Sequence, residues 1–147
     1  MQSDDLGYMR PVIDDSLCID CGLCTKKCII ENPEALSHPI LTAAAIRSDE
    51  EKLILSSSGG VFAAIAEQLI SKGWMVAGCI MDEQLTPRHV LTSNIQLVKQ
   101  MYGSKYVQSN TEGVYKDVAE VLQKGKKVLF SGTPCQVAAV KRFTKNN

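Results

Sequence analysis

The segment Cys18-Ile-Asp-Cys21-Gly-Leu-Cys24-Thr-Lys-Lys-Cys28 places four thiols within eleven residues, at the spacing C-x2-C-x2-C-x3-C. That spacing suits a cubane iron–sulfur cluster. Cys-x2-Cys steps let three sulfurs reach three corners of one cube. The x3 step starts a helix and throws the fourth sulfur elsewhere; in proteins with two clusters it ligates the other one. Thiolates are soft ligands that match iron–sulfur or zinc rather than magnesium or calcium. A tetrahedral zinc site uses two pairs separated by a spacer, whereas here the pairs are fused. A disulfide framework needs an oxidising compartment and dispersed cysteines. The motif therefore predicts electron transfer, with Cys18, Cys21 and Cys24 as local ligands of a 4Fe–4S cluster. Cys28 folds back to complete that cluster, stays unused, or pairs with something outside the chain, since residues 1–17 hold no second motif. Ile29 stands where such runs usually carry proline.

The remaining sequence sets the context. A length of 147 residues suits one ordinary domain plus a small appendage, and 45% hydrophobic residues can fill a core. Sixteen acids balance sixteen bases, and aromatic residues are scarce at 5%. Neither a basic excess nor stacking platforms point to nucleic acid. The acidic start Met-Gln-Ser-Asp-Asp is no signal peptide, and no run of 18 apolar residues predicts a membrane span. Unexported thiols in a cluster motif place the chain in a reducing cytoplasm.

Residues 1–36 read as a partial 4Fe–4S ferredoxin-type segment and 37–147 as an α/β domain. In the first, Val12 and Ile13 are expected in a short strand, and Asn32-Pro33 closes the Cys segment. Leu41 to Ile46 reads as helix from its alanines, and Asp49 to Lys52 as a solvated face or turn. Val61, Phe62, Ile65, Leu69 and Ile70 recur at helical spacing before Gly73. Trp74 to Met81 has strand length, with Arg88 to Thr92 as a hairpin return. Helices follow over 94–101 and around Val114, Val118, Val121 and Leu122, the latter capped by Thr111 and stopped by Gly125. Lys127 to Phe130 reads as a buried strand leading into a helix from Cys135 to Phe143. The alternation predicts an α/β class with a mostly parallel sheet.

Three segments of this domain have the composition of ligand loops. Ser56-Ser57-Ser58-Gly59-Gly60 precedes a helix, where backbone N–H groups and hydroxyls can seat an anion; an ordinary serine cap reads equally well. It is neither a Walker loop nor a dinucleotide fingerprint. Tyr102-Gly103-Ser104-Lys105-Tyr106-Val107-Gln108-Ser109 offers hydroxyls, a cation and aromatics, or is simply a loop. Ser131-Gly132-Thr133-Pro134-Cys135-Gln136 turns a strand into a helix, with Thr133 as N-cap and Pro134 at the first helical position. Cys135 then sits in the first turn, where the helix dipole favours a thiolate, or packs as a small residue. Cys79 reads as a core thiol. His38 and His89 have no visible catalytic partner, and His89 is expected to alternate with solvent along its strand.

Two resemblances join these pieces. Residues 1–30, with Asp5-Leu6-Gly7-Tyr8-Met9-Arg10-Pro11-Val12-Ile13-Asp14 leading to the Cys run, resemble the second half of a bacterial two-cluster ferredoxin. The resemblance implies a missing upstream half with its own Cys motif; a self-contained single-cluster domain is the alternative. Ser57-Ser58-Gly59-Gly60-Val61-Phe62, Gly103-Ser104-Lys105-Tyr106-Val107-Gln108-Ser109 and Val128-Leu129-Phe130-Ser131-Gly132-Thr133-Pro134-Cys135-Gln136-Val137 occur in family order. Together they resemble the N-terminal domain of the coenzyme F420 hydrogenase/dehydrogenase beta-subunit family, over residues 1–145.

Membership would imply an FAD-dependent oxidoreductase passing electrons between a 4Fe–4S cluster and FAD, toward a deazaflavin-type or other organic acceptor. It implies that Ser57, Ser58, Gly59, Gly60, Gly103, Ser104, Lys105, Tyr106, Gly132, Thr133, Pro134, Cys135 and Gln136 line the flavin site. Lys105 would be the cation near phosphate or flavin, and Cys135 a cluster ligand or flavin wall. No catalytic acid or base emerges. Partners would be an electron-donor or acceptor protein such as ferredoxin or a hydrogenase/dehydrogenase subunit, with no nucleic acid and no membrane. Family members continue into a C-terminal domain, so the chain is expected to be a fragment. The rival expectations are a non-catalytic electron-transfer or scaffold module without flavin, and a zinc-binding interaction domain.

Overall fold

The structure is a computed structural model and describes residues 1–33 and 41–145. His38 lies outside the described residues. The chain divides into two compact units, Met1–Glu34 and Ala35–Asn147. None of the described helices is long and apolar enough to cross a membrane.

The first unit is held by polar turns rather than by a core, since no described residue in it is buried. Strand β1 (Gln2–Ser3) pairs antiparallel with β2 (Met9–Arg10). Asp4 organises the turn between them: its Oδ1 accepts from the N–H groups of Leu6 (3.0 Å) and Tyr8 (2.8 Å), and its carboxylate pairs with Arg10. The Arg10 hydrogen bond, reinforced by the Tyr8 N–H, holds the Asp4 carboxyl below its usual range. The expected strand at Val12 and Ile13 does not form; both are exposed coil, and the pairing falls three residues earlier, where the Asp4 turn sets the register. Helix α1 (Leu23–Lys27) follows the loop that carries Cys18 and Cys21.

The second unit is a mixed α/β layer structure. After coil and α2 (Glu50–Ile54) come α3 (Val61–Ser71), β3 (Met75–Met81), β4 (Pro87–Thr92), α4 (Ile95–Lys99), α5 (Val114–Gln123), β5 (Val128–Phe130) and α6 (Pro134–Thr144). The three strands lie in the order β4-β3-β5. β3 pairs antiparallel with β4 from Val76↔Thr92 to Met81↔Pro87, and parallel with β5 from Met75↔Val128 to Ala77↔Phe130. The sheet is therefore mixed, with one parallel and one antiparallel pairing. β3 is central, and both its faces are covered, which is why it reads as a nearly unbroken apolar run.

Alternation along β3 sends its side chains to two cores. Val76 and Ile80 pack with Ala66, Val98 and Met101 on the α3 and α4 side. Ala77 packs with Val114, Val118 and Val140 on the α5 and α6 side. Val76, Val98 and Val114 are the largest fully buried side chains, each worth about 1.5–3 kcal/mol of burial. Gly78 lets the first core close: a Cβ there would lie 2.7 Å from Met101 Sδ.

Several local expectations change. Leu41 to Ile46 is coil, not helix: its alanines are exposed, and the segment instead runs past Gly59, whose carbonyl accepts from Arg47 N at 2.8 Å. Asp49 caps α2, accepting from Lys52 N at 3.1 Å. Gly113, not Thr111, precedes the first turn of α5. Gly73 and Gly125 follow α3 and α5 with φ of 79° and 72°, the left-handed geometry expected of helix stops. β5 is half-buried rather than buried, because it is an edge strand three residues long.

Candidate functional site

The four motif cysteines are all described, and none is in a disulfide. Asp14 starts their loop: its carbonyl accepts from the N–H groups of Leu17 and Cys18, and its carboxylate from Ser16. Those Ser16 bonds lower the Asp14 pKa. Asp20 (φ 50°) and Gly22 (φ 65°) then adopt left-handed turns that curl the chain between Cys18 and Cys24. Cys24 lies in α1, and Cys28 closes it, its N–H bonding to the carbonyls of Cys24 and Thr25. Cys18, Cys21 and Cys24 are exposed, and Cys28 is half-buried.

Four free thiols on a curled, accessible loop fit a soft metal or cluster by the chemistry of the donor set. Their sulfurs do not converge: among the described residues no three His, Cys, Asp or Glu side chains are gathered where one ion would bridge them. The loop thus supplies a donor set rather than a closed cage.

In the second unit the three motif segments meet one another. Ser57 Oγ accepts from Ser104 N at 2.7 Å, joining the Ser-Gly-Gly loop to the Gly-Ser-Lys-Tyr loop. Gln136 Nε2 donates to Ser109 Oγ at 2.9 Å, joining the latter loop to the Thr-Pro-Cys turn. The loop's far end is fixed to the sheet, with His89 N donating to Asn110 O and Asn110 N to Pro87 O, both at 2.8 Å.

His89 stands at the centre of the second junction. It is buried at 6% exposure, opposite Cys79 in the β3–β4 register, and stacked on Phe130 at 5.5 Å. Its Nε2 lies 3.0 Å from Ser131 O, which only accepts, so Nε2 carries the proton. Nδ1 of the neutral ring is then the acceptor, and Ser109 O–H donates to it at 2.9 Å. Ser109 Oγ in turn accepts from Gln136, whose Oε1 accepts from Thr133 N at 2.9 Å. Along this run each bond pairs one donor with one acceptor. Burial pushes the His89 pKa down, against the Ser131 hydrogen bond that raises it. The solvent-facing His89 expected from sequence is thus corrected: it is an interior imidazole with both ring nitrogens hydrogen-bonded.

Lys105 also departs from expectation. Its Nζ donates to the carbonyls of Gln100 (2.7 Å), Gly103 (3.1 Å) and Tyr102 (3.2 Å), just past the end of α4. All three ammonium donors therefore have protein acceptors. Burial lowers its pKa, and nearby Cys79 raises it. Burial raises the half-buried Cys79 thiol, while Lys105 and Ser109 act the other way.

The glycines have internal reasons. A Cβ on Gly59 would lie 2.4 Å from Ala45 O, and one on Gly132 would lie 2.8 Å from Gln136 Oε1. Gly60 and Gly103 hold φ of 67° and 80°. Of the expected flavin-site residues with side chains, Ser57, Ser58, Ser104, Tyr106, Thr133, Pro134 and Cys135 are exposed, Tyr106 at 93%. Cys135 Sγ lies 3.0 Å from Thr133 Oγ1. The three segments are thus joined by hydrogen bonds of their own, with the Tyr106 and Cys135 side chains left outward.

A further cluster braces the first junction. Arg47, with its side chain 10% exposed, pairs through both guanidinium nitrogens with Glu67 on α3. Tyr102 O–H donates to Glu67 Oε1 at 2.9 Å, and Lys52 Nζ stands 3.6 Å from Glu67 Oε2. Burial raises the Glu67 pKa, but Arg47 and Tyr102 outweigh it and the net shift is downward. Burial and then Glu67 push the Tyr102 pKa up to about 12. No local sequence signal marks Arg47 or Glu67, because their partners are distant in sequence. No family model matches the chain, and no curated protein matches it.

Proposed function

We propose that the chain is part of an iron–sulfur flavoprotein oxidoreductase. Cys18, Cys21, Cys24 and Cys28 would hold a 4Fe–4S cluster, and the second unit would present one wall of an FAD site. The observation that carries the reading is the set of four free thiols at C-x2-C-x2-C-x3-C on a loop curled by two left-handed residues. The convergence of the three motif segments supports the flavin half. FAD, when bound, supplies exchange of single electrons with a cluster and of a hydride with an organic acceptor, deazaflavin or other.

The chain's own residues would position rather than transfer protons. The Ser57–Ser104 and Ser109–Gln136 bonds hold the wall's loops in register. Tyr106 and Cys135 are the outward groups for cofactor contact. Lys105 stabilises the end of α4 from behind that wall, so it leaves the contact set. Neutral His89 keeps the Thr-Pro-Cys turn seated on the sheet through Ser131. The fold proposed with this function is a ferredoxin-like segment followed by an α/β domain whose sheet is mixed rather than mostly parallel, and the proposed compartment is a reducing cytoplasm.

The mutual pairing of the loops' polar groups favours one rival, a non-catalytic electron-transfer or scaffold module without flavin. Anaerobic purification with iron, acid-labile sulfide, zinc and visible spectra separates the readings. About four irons with matching sulfide support the cluster. Added FAD that stays bound through gel filtration supports the flavoprotein, and its loss supports the module. Zinc without sulfide overturns both in favour of a zinc-binding domain.

A further inference from the structure

Charge is balanced over the chain but not within it. Residues 114–145 carry Lys116, Lys124, Lys126, Lys127, Lys141, Arg142 and Lys145 against only Asp117 and Glu120, a net of +5 in a chain of net zero. Helices α5 and α6 pack together here, and a shallow cleft of about 160 Å³ opens between them, lined by Ala119, Leu122, Gln123 and Thr144. Its apolar side chains are Ala119 and Leu122, the latter 41% exposed, and its polar ones Gln123 and Thr144. Each wall runs directly into a lysine, Gln123 into Lys124 and Thr144 into Lys145.

The cations exceed what the fold needs. Each helix C-terminus carries about half a negative charge, so two ends offset about one of the five net positive charges. Lys116, Lys124, Lys126, Lys141 and Lys145 are exposed, and among the described residues none is in a salt bridge. A notch of mixed polar and apolar lining, on a pair of helices that carry lysines in no salt bridge, is complementary to a carboxylate-rich protein surface with a small apolar contact at its centre. A nucleic acid would exploit the charge but not the notch, and the scarcity of aromatics gives it no stacking surface.

We propose that the α5–α6 face is the docking site for an acidic electron-carrier protein. This rests on the proposed electron-transfer function for the partner's identity, and on the charge distribution and cleft for the surface. The test uses the full chain with two probes, a plant-type ferredoxin and a bacterial two-cluster ferredoxin. Binding is measured by calorimetry at 20 and 200 mM salt, without electron transfer as a readout. At least one carrier is expected to bind and to weaken about tenfold or more over that salt range. The double variant K124E/K141E is expected to weaken it by a similar factor, and L122S to weaken it without changing the salt dependence. Circular dichroism checks that each variant folds, and K124Q/K141Q serves if the reversal does not. No binding by either carrier, indifference to these substitutions, or equal binding of duplex DNA or anionic phosphatidylserine vesicles overturns the proposal. Iron, sulfide and flavin contents are read separately, so a failed cofactor reading is distinguishable from a failed docking face.

Discussion

Ser57 Oγ and Ser104 N are hydrogen-bonded at 2.7 Å across 47 positions of sequence. A serine in a flexible-looking loop is thereby committed to holding a second loop rather than to holding a ligand. Ser57→Ala should cost about 0.5–1 kcal/mol in denaturant unfolding, because the lost bond is exposed and water replaces it. If FAD binds, the same variant should weaken it several-fold, because the wall's loops lose register. A stability change with no flavin effect would show that the junction serves the fold alone.

Lys105 separates the fold from the cofactor more sharply. Lys105→Met removes three hydrogen bonds to the carbonyls of Gln100, Tyr102 and Gly103. Solvent competes at this half-buried site, so the expected loss is about 1 kcal/mol, read by thermal unfolding. FAD affinity should fall by no more than about threefold; a loss of tenfold or more, at about 1.4 kcal/mol, would return Lys105 to the cofactor's contact set.

How far the sequence could be read follows from these two residues. The elements with strong periodicity, α3, β3, β4, α5 and α6, lie where apolar spacing and the stop glycines put them. The three motif segments were visible as candidate loops, and their meeting depends on pairings such as Ser109 with Gln136 that no local pattern encodes. Leu41 to Ile46 misled because alanine content signals helix only where a face is buried, and here the segment is exposed coil against Gly59. Alternation along β4 does not by itself say which face is covered, and His89 lies on the covered one. Its register partner Cys79 shares the face on which Ala77 packs against α5 and α6.

Burial lowers the His89 pKa, so the folded state binds fewer protons than the unfolded chain just below the unfolded value of about 6.5. Stability rises with pH wherever the unfolded state binds more protons. The contribution of neutral His89 is therefore full above about pH 6.5 and declines as pH falls toward the depressed folded pKa. Melting temperature should drop from pH 7.5 to 5.5, and His89→Gln should flatten that slope. An unchanged slope in the variant would assign it to other groups.

Two glycines test how rigid their neighbours are. A Cβ on Gly78 meets the flexible end of Met101, whereas one on Gly59 meets the backbone oxygen of Ala45 at 2.4 Å. Gly78→Ala should cost about 1–3 kcal/mol by overpacking, and Met101→Ala in the same chain should relieve part of the clash. Gly59→Ala has no side chain to displace and should release the 41–47 segment, seen as faster amide exchange at Arg47, whose N–H bonds Gly59 O. Equal exchange in the variant would show that the segment shifts without detaching.

Cys24 and Cys28 stand four positions apart at the two ends of α1, with the Cys28 N–H bonded to Cys24 O at 3.0 Å. Helical neighbours at this spacing have Cβ atoms about 5–6 Å apart, so a centre bound by Cys24 is within reach of Cys28. Folding back is then the nearest of the options for the fourth thiol. Cys28→Ser should lower iron per chain as far as Cys18→Ser, Cys21→Ser or Cys24→Ser does, from about four after anaerobic reconstitution to below about one. Cys79→Ser and Cys135→Ser should leave it unchanged, because neither residue belongs to the four-thiol run. Retention of iron in Cys28→Ser, together with its loss in Cys135→Ser, would mean that the fourth ligand comes from the second unit.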